Sequence, residues 1–220
     1  MEQGPEIGPR VVAELFGIPI TNTFISLQII SVVVLLLSFW LSYKPKENLT
    51  TKQNIIETLV EMFRRYLSGF LEEHIAEKYF SFFATLFLFI LLSNWSGFIP
   101  GFASPTSDIN VTVGLAIGTI LYIQYAAFKE RGIEYLKSFV SPSVLFLPIN
   151  ILEQITRPVS LALRLFGNIS GEHIVLGIIS LLAPLIVPVP IMALNMFMGF
   201  IQAFIFTSLS AAYLAAALEE

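Results

Sequence analysis

One apolar run of 41 residues, from Ser143 to Ala183, restricts this chain to few folds. As an α-helix the run would be ~60 Å long, about twice the ~30 Å hydrocarbon thickness of a bilayer. It also contains Arg164, and a charge at the centre of a membrane helix costs about 2.5–3.5 kcal/mol even on a mild insertion scale. We therefore expect a membrane helix that is kinked, partly interfacial or steeply tilted, and in which Arg164 is a functional residue.

The composition agrees with a membrane protein. Hydrophobic residues make up 55% of the 220 residues and charged residues only 13%, about half the charged share that is usual in soluble domains. Cysteine is absent, which excludes disulfides, thiolate catalysis and cysteine-based metal sites. No long basic cluster indicates nucleic-acid binding, and no glycine-rich phosphate loop indicates ATP binding.

The hydrophobic pattern predicts an all-α polytopic membrane protein with five membrane-crossing helices and one interfacial amphipathic helix, all in a single membrane domain of residues 1–220. The expected parts are an outer N-terminal segment at 1–20, crossing helices at 24–43, 79–99 and 111–128, the interfacial helix at 51–74, and long tilted helices at 143–183 and 191–218. A connector packed on the protein itself is the alternative for 51–74. Asp108 or Asn110 is suited to cap the third crossing helix, and the spacing of its Gly114 and Gly118 would allow a close helix contact.

Nine of the twelve lysines and arginines fall in two connections on one side of the predicted membrane helices. These are Lys44, Lys46, Lys52, Arg64, Arg65, Lys78, Lys129, Arg131 and Lys137. Because the basic side of a membrane protein is normally cytoplasmic, we expect the N-terminus outside and the C-terminus in the cytoplasm.

Polar residues of the long helix gather on one face. At 100° per residue, seven of them share an arc of about 100°, the width of one helix face. They are Asn150, Glu153, Gln154, Arg157, Arg164, Asn168 and Glu172. Glu153 and Arg157 are spaced for a local ion pair, whereas no acid lies three or four residues from Arg164. Its counter-charge is therefore expected from another polypeptide.

The last helix carries a matching stripe of Asn195, Gln202 and Tyr213, which recur on one face. Such amides serve either as helix–helix hydrogen bonds or as part of a polar path, and the sequence leaves both open. His173 points about 100° away from Glu172, so these neighbours face different directions. With only two histidines in the chain, no histidine metal site is expected.

Several motifs together resemble subunit a of the rotary F-type ATP synthase, in its bacterial form. The most specific is Arg164-Leu-Phe-Gly-Asn168, followed by Gly171-Glu-His173 and by Gln202-Ala-Phe-Ile-Phe206. Further matches are Pro105-Thr-x-Asp108-x-Asn110-Val-Thr112, Asn94-Trp95 and Pro158-Val-Ser160. The resemblance covers most of residues 12–218.

The resemblance implies a non-catalytic, ion-conducting stator with two half-channels, through which proton or sodium flow turns a ring of c subunits. Arg164 would face the essential carboxylate of that ring. Glu172, His173, Asn195 and Gln202 would match the outer path, and Asn150 and Glu153 would lie toward the cytoplasmic one. We also assign Asn168, Asp108 and Tyr213 to the predicted ion path.

The partners implied by the resemblance are the c-ring, the peripheral-stalk b subunits and the rest of the complex, in a bacterial plasma membrane and without a cofactor. One departure concerns His173 and Asn195. Many bacterial relatives have an acid at the first position and a histidine at the second, so either Glu172 or His173 could be the main relay.

Two other functions fit parts of the pattern. A stand-alone ion or solute transporter could use the same polar face of the long helix. An intramembrane hydrolase could use Ser170 between two glycines, although the spacing is not that of a nucleophile elbow.

Overall fold

The computed structural model describes residues 11–15, 18–42, 51–99, 102–138, 145, 147–183 and 187–219. Its elements in chain order are strands β1 (Val11–Leu15) and β2 (Ile18–Thr21) and helices α1 (Asn22–Ser42), α2 (Thr51–Leu67), α3 (Glu73–Ser96), α4 (Ile109–Arg131), α5 (Ile133–Ser138), α6 (Leu147–Leu182) and α7 (Pro188–Glu219). A 3-10 turn, Pro105–Ser107, precedes α4. Helices α3, α4, α6 and α7 are long and apolar enough to cross a membrane, and 22–38 of α1 form a shorter apolar stretch.

The N-terminal segment departs from the all-helical expectation. Strands β1 and β2 form an antiparallel hairpin in which Leu15 pairs with Ile18 and Val11 with Thr21. The strands contain valine and isoleucine, which favour extended backbone, and this short apolar alternation is the signal that the prediction overlooked. The remainder of the expected outer segment, 1–10 and 16–17, lies outside the described residues.

The amphipathic helix ends at an earlier residue than predicted, and the following helix also begins at an earlier residue than predicted. Helix α2 stops at Leu67, where Gly69 and Leu71 turn the backbone through hydrogen bonds to Tyr66 and Leu67. Helix α3 then starts at Glu73 rather than at residue 79. Its first turns contain the buried Ile75 and Ala76, so core packing extends α3 beyond its most apolar part.

Helix α2 packs on the other helices of the chain. The Phe63 ring contacts Phe80 and Phe87 of α3, and the Tyr66 hydroxyl is hydrogen-bonded to Ser208 of α7. Burial raises the pKa of Tyr66 above its ordinary value, so this hydroxyl remains protonated near neutral pH. These contacts agree with the alternative prediction for this segment, a connector that packs on the protein itself.

Helix α7 connects the helical packing. It contacts α3, α4 and α6, while α6 also contacts α4, and α1 contacts α3. The buried face of α7 includes the small residues Gly199, Ala203 and Ala211 beside Phe206 and Leu214. Small residues allow helix backbones to approach closely in a membrane, which explains how α7 fits against several helices at once.

The predicted contact at Gly114 and Gly118 is absent within the described chain. A methyl group added at either glycine would meet nothing within 4 Å, and both residues are exposed on α4. The spacing of two glycines does not specify which side of a helix is covered by its neighbours in the same chain. Helix α4 instead contacts its neighbours through Ala116, Ile120 and Ile123, which are buried.

Helix α6 is the least covered of the four long helices. Only 11% of its most apolar 18-residue window is buried, against 39% for α3 and for α4. The buried residues of α6 are Leu161, Ala162, Leu165 and Ile169. At ~1.5 Å per residue, its 36 residues give a helix of about 54 Å, which exceeds the hydrocarbon thickness as the sequence predicted.

Candidate functional site

Arg164 lies on α6 at the boundary between the covered and the uncovered side. Leu161 and Leu165 are buried, Leu163 is 53% exposed, and Arg164 itself is partly exposed. Throughout the described ranges, the guanidinium makes no hydrogen bond and no ion pair. A permanent charge on an apolar helix thus has no counter-charge among the described residues.

The polar face of α6 meets the polar stripe of α7 along an antiparallel pair of helices. Arg157 lies over the Tyr213 ring at 5.0 Å from its centroid, and the Asn168 amide donates a 2.7 Å hydrogen bond to Oε1 of Gln202. The two contacts are separated by eleven residues on α6 and by eleven residues on α7. Arg164 lies between them, four residues before Asn168.

Gln202 is nearly inaccessible to solvent, with 2% of its surface exposed. Its Oε1 accepts from Asn168, whereas its Nε2 has no hydrogen-bond partner among the described atoms. A buried amide donor without a protein partner is costly. The Asn168–Gln202 contact is the helix–helix hydrogen bond that the sequence left as one of two alternatives.

The expected local ion pair is present. Arg157 Nη2 is 2.6 Å from Glu153 Oε1, and the side chains are 10% and 53% exposed respectively. The Nε–H of Arg157 is buried and finds no acceptor in the described part of the chain. The Arg157 side chain is therefore held between Glu153 of α6 and Tyr213 of α7. Glu153 is the more exposed member of the ion pair.

Glu172 and His173 occupy the far end of the same interface. The Asn195 amide lies 3.4 Å from the backbone carbonyl of Glu172 and donates to it, so Asn195 does not contact the carboxylate. The His173 ring packs against the end of α3, where a methyl group on Gly97 would be 2.6 Å from its Cε1 atom. Both residues are partly exposed.

Asp108 and Ser170 have local structural contacts. Oδ1 of Asp108 accepts from the backbone N–H of Asn110 at 2.9 Å and caps α4, which confirms one of the two predicted caps. The Ser170 hydroxyl is 3.3 Å from the backbone carbonyl of Ser107, to which it donates. It makes no hydrogen bond to a histidine within the described chain, so nothing there activates it as a nucleophile. Asn150 is partly exposed near the start of α6.

Two polar clusters were not anticipated. Gln124 of α4 donates to Gln154 of α6 and accepts from the Tyr135 hydroxyl of α5. Residues so far apart in sequence give no periodic signal, although Gln154 belongs to the predicted polar face. The second cluster is centred on Asn94, which donates to the Gly199 carbonyl at 2.9 Å and accepts from Thr106 at 2.7 Å.

The ends of three helices are joined opposite the Asn94 cluster. Glu130 of α4 accepts from Lys78 at 2.5 Å and from the Tyr79 hydroxyl at 2.6 Å, both on α3. Arg131 donates to the backbone carbonyl of Ala217 near the end of α7 at 3.3 Å. A cation beside the last carbonyls of a helix is favourable to its dipole. These contacts place the start of α3 and the ends of α4 and α7 on one side of the protein.

No group of three or more histidine, cysteine, aspartate or glutamate side chains capable of holding a metal ion occurs in the described ranges. The partly exposed cation, the buried amides and the two titratable residues beyond them form a polar line along α6 and α7. Such a line suits the movement of a small ion past a fixed positive charge.

Comparison with known proteins identifies the family. Residues 24–215 match the family described as ATP synthase A chain. The chain is 38% identical over 217 residues to ATP synthase subunit a of Moorella thermoacetica (strain ATCC 39073 / JCM 9320), a similarity that covers 95% of this chain and 96% of the relative. The chain therefore belongs to the ATP synthase A chain family, as a non-catalytic stator subunit of the membrane sector.

Proposed function

We propose that this subunit conducts ions, protons or sodium, between two half-channels that both end near Arg164 at the surface of a rotating c-ring. The observation that carries the proposal is Arg164 itself. It is a permanent cation without an internal partner on the least covered of the long helices. A partner that brings a carboxylate to this face would supply the missing charge.

The outer half-channel would run past Glu172, His173, Asn195 and Gln202, and the inner one past Asn150, Glu153 and Tyr213. Asn168, hydrogen-bonded to Gln202, lies where the outer path approaches Arg164. Asp108 belongs to the outer end of this arrangement, where it caps α4. Glu172 and His173 are both relay candidates, because both are partly exposed and titratable.

In this mechanism an ion from outside neutralises a ring carboxylate, which then turns into lipid, where its charged form would be strongly disfavoured. On its return, the Arg164 guanidinium favours the ionised carboxylate and so promotes release of the ion inward. Because arginine does not lose its proton in proteins, Arg164 also blocks direct leakage between the half-channels. Each charge gains ~2.3 kcal/mol per 100 mV of membrane potential.

The decisive experiment replaces Arg164 with alanine in the complete ATP synthase and measures ATP-driven ion pumping into vesicles. We expect coupled pumping to be lost. Arg65→Ala is the matched control, since Arg65 is an exposed α2 residue paired with Glu61 at 2.5 Å, and exposed pairs contribute little. Retained pumping by the Arg164 variant would contradict the proposal, as would transport by the purified subunit alone.

The proposed orientation has five crossings, a bacterial plasma membrane location, an outer N-terminus and a cytoplasmic C-terminus. The basic Lys129 and Arg131 at the end of α4 support it. Because the chain contains no cysteine, single cysteines report their own side of the membrane. An impermeant thiol reagent should label Asn110→Cys from outside and Lys129→Cys only from the cytoplasmic side. The reverse pattern would contradict the orientation.

Because the chain contains no cysteine, the proposed contact with the c-ring can also be tested by disulfide cross-linking. A cysteine at the exposed Leu163, combined with single cysteines along the outer helix of a c subunit, should form disulfides that stop rotation. The b subunits are proposed as the other membrane partners. Absence of any cross-link at residue 163, with cross-links at a residue on the covered side, would assign the ring to another face.

A further inference from the structure

Helix α6 carries two arginines on nearly the same face, and their surroundings differ. Arg157 and Arg164 are seven residues apart, which corresponds to about 10 Å along the helix axis and 20° around it. Arg157 is 10% exposed, paired with Glu153 at 2.6 Å and stacked over Tyr213. Arg164 has no partner among the described residues.

Two cations so close to each other would compete for one moving carboxylate. Charge interactions across 10 Å remain appreciable where water is scarce, because the screening that applies in solution is reduced there. A ring carboxylate that pairs with Arg157 instead of Arg164 would be held at the wrong point of its cycle. Proper function therefore requires that only one of the two arginines is available.

We propose that Glu153 is a specificity-determining residue: it neutralises Arg157, so that the ring carboxylate pairs with Arg164 alone. The inference depends on the proposed function, because it presupposes the ring carboxylate. Glu153 is the nearest acid to Arg157 on the helix, and its half-exposed position places it between the Arg157 cation and the uncovered side of α6. It thus acts through Arg157 and need not itself bind the conducted ion.

The proposal predicts an asymmetry between two variants that break the same ion pair. Glu153→Gln leaves a free cation about two turns from Arg164, whereas Arg157→Gln leaves a half-exposed carboxylate. We expect Glu153→Gln to lower ATP-driven pumping about fivefold, which corresponds to ~1 kcal/mol of competing interaction at 1.4 kcal/mol per factor of ten. Arg157→Gln should lower it less, and the double variant should recover most of what Glu153→Gln loses.

The experiment measures pumping by the complete complex in vesicles, normalised to the amount of assembled subunit. Recovery in the double variant supports the proposal, because a glutamate that only conducted ions could not be replaced by removing an arginine. Equal losses in both single variants, or no recovery in the double variant, would overturn it. If Glu153→Gln assembles poorly, Glu153→Asp and Glu153→Asp with Arg157→Gln provide the same comparison, since the shorter side chain weakens the pair.

Arg164→Ala, measured in parallel, separates this inference from the proposed function. Retained pumping in Arg164→Ala would remove the stator mechanism and with it the role of Glu153. Lost pumping in Arg164→Ala, together with equal losses in the Glu153 and Arg157 single variants, would overturn only the role of Glu153.

Discussion

Gly97, at the end of α3, is in contact with His173 of α6. Gly97 follows the last residue of α3, and a methyl group at this position would lie 2.6 Å from Cε1 and 2.9 Å from Nε2 of His173. Carbon atoms do not approach one another so closely, so the absence of a side chain on Gly97 determines where the imidazole can lie.

Gly97→Ala should therefore displace His173 and lower ion conduction without preventing assembly. The added methyl group would also lie 3.1 Å from Cβ of Ser104, so it cannot avoid His173 by shifting toward Ser104. The imidazole is therefore the group that must move. The measurement is passive ion conduction through the membrane sector over a range of pH. The pH dependence should change together with the rate, because a titratable side chain has been moved.

Gly118→Ala is the matched control, since a methyl group there meets nothing within 4 Å. It should leave both conduction and its pH dependence as they are in the parent. Equal behaviour of the two alanine variants would show that the position of His173 is unimportant for conduction.

Asn94→Ala should destabilise the protein more than an equivalent change on the surface. The substitution removes two buried hydrogen bonds, the one from the Thr106 hydroxyl and the one to the Gly199 carbonyl, at a cost of about 0.5–1.5 kcal/mol each, although Thr106 keeps its bond with Ser104. The expected decrease in the melting temperature of the solubilised complex is about 2–4 °C for each kcal/mol. Asn110→Ala, which changes an exposed residue, should melt close to the parent, and an equal decrease there would contradict this role of Asn94.

Gln202→Leu should reduce ion conduction far more than it reduces stability. The substitution removes the hydrogen bond with Asn168, and such bonds between membrane helices are worth about 0.6 kcal/mol on average. It also removes the buried Nε2 donor, which lacks a protein partner in the described chain, and this loss offsets part of the cost. Conduction and melting temperature are measured on the same preparations.

Asn168→Leu is the companion variant, because it removes the same hydrogen bond but retains Gln202. If both variants lose conduction only in proportion to stability, the amides are helix contacts and not part of the path. A much larger loss in Gln202→Leu identifies Gln202 as a residue of the path.

The sequence predicted the parts of this protein that depend on one helix at a time. The apolar lengths of α3, α4, α6 and α7, the Glu153–Arg157 pair and the lack of an internal partner for Arg164 all follow from composition or from spacing along a single helix. The Asp108 cap is equally local, because its acceptor and donor are two residues apart.

Features that depend on contacts between two elements were harder to predict from the sequence. Gly114 and Gly118 make no close contact within the described chain, because neighbouring helices decide which side of α4 is covered. One polar cluster joins three helices through Gln124, Tyr135 and Gln154. The sequence of any one of these helices does not indicate that the cluster forms. The early start of α3 has the same origin, since Ile75 and Ala76 are helical where they meet the core.

The uncovered side of α6 has a mechanical consequence. Its exposed apolar residues are isoleucine, leucine and valine of similar size, among them Ile155, Val159, Leu163 and Ile178. These branched side chains, with the partly exposed Phe166 among them, offer a neighbour only weak, non-directional contacts. A ring in contact with it would slide with little friction, and Arg164 would be the single point at which the sliding partner is held.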